Sequence, residues 1–96
     1  MRRNQKLTRV VRGRTVQVAT AEQGKLVIRF SDQSTMTVKT AELANVSPGG
    51  KIEAIREDGA EFALQLEDGS TVSLQLADPG SSVAVRDQNN QVEYLG

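Results

Sequence analysis

Apolar and polar residues alternate along most of this chain from Val16 onward, and turn-forming residues break the alternation roughly every eight to twelve positions. A period of two sends successive side chains to opposite faces of a strand, so each segment is expected to bury one face and wet the other. Leu26, Ile28 and Phe30 share one side, with Lys25 and Arg29 on the other; Met36 and Val38 oppose Thr35, Thr37 and Lys39. The pattern recurs in Phe62, Leu64 and Leu66, then in Val72, Leu74 and Leu76, then in Val83 and Val85, and last in Val92 and Tyr94. These side chains are the expected core. Asp58-Gly59 and Asp68-Gly69 predict type I′ hairpin turns, because both central positions need positive φ, which Gly accepts freely and Asp tolerates. Asn89-Asn90 is a weaker version of the same signal.

Sliding the sequence on itself by 36 residues lays Ile28 to Val38 over Leu64 to Leu74, with Asp32 on Asp68, Ser34 on Ser70 and Thr35 on Thr71. Upstream, Gly13 falls on Gly49, Val16 on Ile52 and Leu26 on Phe62, so each copy is expected to hold three strands. A shorter echo links Pro48-Gly49-Gly50-Lys51-Ile52 with Pro79-Gly80-Ser81-Ser82-Val83, each a turn feeding a strand. Thr40 to Asn45 is expected to form one helical turn capped by Thr40 and stopped by Ser47-Pro48-Gly49-Gly50. Residues 1–12 are expected to be a basic arm, since Arg2-Arg3-Asn4-Gln5-Lys6 has little to bury; an edge strand, or a short helix with Leu7, Val10 and Val11 on one side, ranks behind it.

Two three-strand copies and a terminal hairpin come to about eight short strands. The expected fold is therefore all-β, a small antiparallel barrel or pair of barrels, with residues 13–96 forming one domain of two similar halves, 13–47 and 48–96. The five strands expected in 49–96 resemble an SH3-like or Sm-like barrel at the level of fold, a likeness that assigns no function.

Composition narrows the chemistry. The chain has 96 residues, no cysteine and no histidine, which excludes a disulfide framework, thiolate chemistry, the usual zinc sites and histidine acid-base catalysis. A cytoplasmic location fits that usage, and no apolar run approaches the roughly 20 residues that span a bilayer, so no membrane role is expected. The acid-free start is also compatible with a transit peptide, a reading its low serine content and direct entry into a strand pattern disfavour. Asn45-Val46-Ser47 matches a glycosylation sequon by chance. The carboxylates Glu57, Asp58, Glu67, Asp68, Asp32 and Asp87 all lie at or beside expected turns, where Asp caps the backbone, and none has calcium-loop spacing. Gly49-Gly50-Lys51 lacks the rest of a phosphate loop. The protein is expected not to be an enzyme and to need no cofactor.

Charge points to binding. The 12 Lys and Arg balance the 12 Asp and Glu, yet Arg2, Arg3, Lys6, Arg9, Arg12 and Arg14 all precede the first acid, Glu22. Such a segment is expected to contact RNA or DNA phosphates without sequence specificity, because Phe30, Phe62 and Tyr94, the only aromatics, fall on core faces and leave nothing to stack bases. The alternative is a protein partner or a second copy of the chain, engaged through exposed strand edges and the outer face bearing Lys25, Arg29, Thr35, Thr37 and Lys39, with Val27 among them.

Overall fold

The alternating segments form strands because β-branched and long apolar residues pack well on a pleated surface that is wet on its other side. The computed structural model describes residues 2–42 and 45–96. Within them the order is β1 (Arg2–Arg3), α1 (Gln5–Val11), β2 (Val16–Glu22), β3 (Lys25–Phe30), β4 (Thr35–Lys39), β5 (Ile52–Asp58), β6 (Glu61–Leu66), β7 (Thr71–Gln75), β8 (Val83–Arg86) and β9 (Val92–Leu95). The fold is all-β with one short helix. Its strands make two antiparallel sheets, β1-β5-β6-β7 and β2-β3-β4-β8-β9, and neither closes on itself into the expected barrel.

Adding 36 to every residue of the β2-β3-β4 register reproduces β5-β6-β7. Val16 opposite Phe30 becomes Ile52 opposite Leu66, and Leu26 opposite Val38 becomes Phe62 opposite Leu74. Even the bulges agree, between Val16 and Val18 in one copy and between Ile52 and Ala54 in the other. The copies meet about an approximate two-fold axis at an antiparallel bridge, Thr15 with Lys51. There the Val16 amide donates to Gly50 O (2.8 Å) and the Ile52 amide to Arg14 O (3.0 Å), each the counterpart of the other. The terminal hairpin breaks this relation: β8 pairs with β4 and so joins the sheet of the first copy, while β7 has no such neighbour.

One apolar cluster joins both sheets, including Ile28, Phe30, Met36, Val38, Ile55, Phe62, Leu64, Val83 and Val85. Two expectations need correction, the burial of Val92 and the turn type. Val92 is 47 % exposed, because a register shift between Val85 and Arg86 sets it opposite Arg86, on the wet face. The bulges also turn Val18 outward, at 44 % exposure, and bring Ile55 into the core, two placements that the alternation had not assigned. The turns are not type I′: neither Asp58 nor Asp68 has positive φ, and in 66–71 the chain makes a three-residue loop in which Gly69 (φ 93°) donates to Leu66 O at 3.0 Å. Gln33 (φ 76°) and Asn90 (φ 65°) hold the same left-handed position in the β3–β4 and β8–β9 loops.

The arm is also corrected. From Arg2 onward it is a strand and a helix, because Leu7 and Val11 sit one helical turn apart and both reach 0 % exposure. Asn4 caps the helix, its side chain accepting from the Leu7 amide at 3.0 Å, and Gly13 (φ 84°) lets the chain leave it. The expected helical turn over 40–45 includes Leu43 and Ala44, which lie outside the described residues. On its described side the Thr40 hydroxyl accepts from the Glu42 amide at 3.1 Å.

Candidate nucleic-acid interface

Helix α1 seals the edge of β5. Arg2 and Arg3 pair with Glu57 and Arg56, the Asn4 amide donates to Ile55 O (2.7 Å), and the Thr8 hydroxyl accepts from the Ile55 amide (2.9 Å) while donating to Ile55 O (3.2 Å). Thr8 thus supplies to a strand edge what another strand would have supplied. Asn4 also donates to Glu57 Oε1 (2.7 Å) and to the Tyr94 hydroxyl (3.0 Å), tying the helix start to both sheets.

This docking sorts the six expected phosphate-binding residues. Arg3, Arg9 and Arg12 line one shallow depression with Gln5 and Thr8, since positions 5, 8, 9 and 12 share a helical face. Arg2 and Lys6 are exposed nearby in sequence, on β1 and α1. Arg12 reaches Glu53 at 3.7 Å, an exposed pair of little strength. Among the described residues Arg2, Arg3, Lys6 and Arg9 have no acidic side chain within ion-pair distance.

Arg14 is a different case. Its guanidinium forks onto Glu93 (2.9 and 3.0 Å), donates to the Ser34 hydroxyl (2.9 Å), lies 3.7 Å from Asp32 and stands 6.0 Å from the centre of the Phe30 ring. The bond to Glu93 raises its pKa further, against a smaller opposing effect of burial. With three of its donors bonded to Glu93 and Ser34 and its side chain only 18 % exposed, Arg14 is a clamp between the helix exit, the β3–β4 loop and β9, and it leaves the candidate interface.

A second basic surface lies on the outer face of the five-stranded sheet. Lys25 stands opposite Lys39, and Arg29, Thr35 and Arg86 form a row across β3, β4 and β8. Alternation alone had put Lys25, Arg29 and Lys39 on one face; Arg86 was not legible, because only the β4–β8 pairing brings it there. Phe30 and Phe62 are buried, and Tyr94 packs against the core, so no aromatic side chain is presented for base stacking. Among the described residues no group of three or more acidic, His or Cys side chains is placed to hold a metal ion, and no helix is long and apolar enough to cross a membrane.

These elements define an all-β protein of two sheets joined about an internal two-fold axis, with one capping helix and two basic surfaces. No protein-family model matches the chain, and neither a curated protein nor a solved structure matches it.

Proposed function

We propose that the protein is a non-enzymatic binding module that contacts nucleic-acid phosphates through Arg2, Arg3, Lys6, Arg9 and Arg12. The observation that carries this reading is the convergence of Arg3, Arg9 and Arg12 on one exposed depression whose single ion pair is a weak one. Arginine forks suit phosphate oxygens, and the lack of a stacking aromatic makes the contact one of charge, without sequence preference between RNA and DNA backbones. Residues 49–96 supply five strands, β5 to β9, but β5-β6-β7 and β8-β9 lie in different sheets, and an SH3-like likeness would in any case add nothing about the partner.

Deleting residues 1–14 is not a clean test, because it removes Leu7, Val11 and Arg14 from the scaffold. The triple substitution Arg3→Ala, Lys6→Ala, Arg9→Ala spares them. Mobility shifts of RNA and DNA oligonucleotides over a salt series are expected to show at least a tenfold loss of affinity, with the slope of log K against log salt falling by about two to three. Equal affinity of the variant and the parent protein would sink the proposal. Association through an exposed strand edge is the second reading, favoured by β2, a seven-residue strand at the end of its sheet with Val18 exposed. Sedimentation at increasing concentration without nucleic acid separates the two.

A further inference from the structure

The outer face of β2-β3-β4-β8-β9 has an order that phosphate binding at the helix does not use. Its middle row crosses the strands as Val27, Thr37, Ala84 and Leu95, each paired with the next. On one side stand Arg29 and Arg86, on the other Lys25 and Lys39. Two shallow grooves meet on this row. One runs between Arg29 and Arg86, with Asp87 at its border; the other runs beside Lys39 and Leu95; Thr37 and Ala84 line both. The large apolar side chains left exposed among the described residues, Val18, Val92 and Leu95, all lie on this sheet, Leu95 at 67 %. Among the described residues only Lys25 of these four cations has an acidic partner in reach, Glu22 at 3.4 Å.

We infer that this face is a docking surface for an acidic amphipathic helix of a protein partner. The two cation rows are four strand positions apart, about 13 Å, which matches the roughly 10–12 Å diameter of a helix with its side chains. The apolar row spans three inter-strand spacings, about 14 Å, the length of some ten helical residues. A helix laid along it sets aliphatic side chains on Val27, Ala84 and Leu95 and carboxylates on the arginines to one side and the lysines to the other. A second copy using the same face is disfavoured by charge, since a two-fold contact would bring both sets of cations together. A nucleic acid would match the charge but would leave the aliphatic row unused and find no aromatic ring.

The test is a titration of the full, isotope-labelled chain, followed by amide NMR shifts, with a synthetic peptide of about fourteen residues, stapled across its outward face to hold the helix, bearing leucine at i, i+4, i+7 and i+11, glutamate at the positions flanking them and alanine elsewhere. A scrambled peptide of equal composition and a thymidine oligonucleotide serve as parallel probes. Expected are shifts at Val27, Thr37, Ala84 and Leu95, weaker binding by the scrambled peptide, and at least a tenfold loss of affinity in Arg29→Glu and in Arg86→Glu, both exposed positions whose unchanged circular dichroism would certify the fold. The inference is overturned if the peptide causes no shifts at about 1 mM, shifts residues elsewhere, or is indifferent to both substitutions. It is also overturned if the oligonucleotide occupies this face more tightly than the peptide does. Oligonucleotide shifts confined to β1 and α1 belong to the phosphate reading and leave the peptide result to be judged alone.

Discussion

Arg14 and Asp32 show how single side chains close this fold at a point where three segments meet. Arg14→Lys keeps the charge but loses the fork onto Glu93 and the bond to Ser34, so the urea midpoint is expected to fall by the equivalent of about 1–2 kcal/mol with an unchanged m-value. Affinity for nucleic acid should not move in that variant, which separates the clamp from the interface. Asp32 carries a linked pH dependence. Partial burial opposes its ionisation, but the Ser34 hydroxyl and amide, with Arg14, outweigh that and hold its carboxyl below the usual aspartate range. A folded pKa below the unfolded one stabilises above the unfolded value and is lost as pH falls through the folded one. Urea midpoints measured from about pH 5 down to pH 2 should therefore decline, and Asp32→Asn should flatten part of that decline. Asp68 is held low by the Ser70 hydroxyl and amide in the matching turn, but it is fully exposed and has no arginine partner, so Asp68→Asn should flatten the curve less. The Asp-x-Ser of both turns was legible in the sequence; that one of them sits under an arginine from another segment was not.

At the level of elements, strands were readable and their irregularities were not. Alternation is a local property of a pleated chain, which is why Leu26 to Phe30 and Phe62 to Leu66 announced themselves. A bulge shifts that alternation by one residue at no visible cost in composition, so Val92 ended on the face opposite to the one its spacing with Tyr94 suggested, and the exposure of Val18 and burial of Ile55 could not be read from alternation. Helix α1 ranked behind an arm in the sequence for a related reason. Seven residues carry too few apolar positions to outweigh a polar run, and only the waiting edge of β5 makes burial of Leu7 and Val11 worth the turn. The turns offer a direct comparison between copies. Gln33 occupies in the first hairpin the left-handed position that Gly69 occupies in the second, where a side chain is disfavoured. Gln33→Gly is expected to raise stability by about 1 kcal/mol and Gly69→Gln to lower it by a similar amount, read from thermal or urea midpoints.

For the whole molecule, the duplication does not divide the core. The apolar cluster runs through residues of both copies and of α1, and the terminal hairpin of the second half extends the sheet of the first. Unfolding should consequently be one cooperative event. Far-ultraviolet circular dichroism, which sees all strands, and the fluorescence of Tyr94, which reports on β9 and its bond to Asn4, are expected to give coincident urea transitions, and two separated transitions would show that the copies fold apart. The two copies also differ in what they show to solvent. At matching outward positions the first has Lys25, Arg29 and Lys39, and the second Glu61, Gln65 and Gln75, so a shared scaffold carries a basic face on one sheet and not on the other.

Sequence by itself determined the all-β class, most of the core, the 36-residue period and the separation of a basic start from an acidic remainder, because each is written in neighbouring residues or in plain self-similarity. Tertiary structure alone decided that β8 lies beside β4, that Arg86 joins Arg29 across Thr35, that Arg14 is consumed by Glu93, and that the basic start is a helix on an edge rather than an arm. Those outcomes depend on pairing between segments far apart in the chain, where many partners share the same alternation and only packing of the single core selects among them.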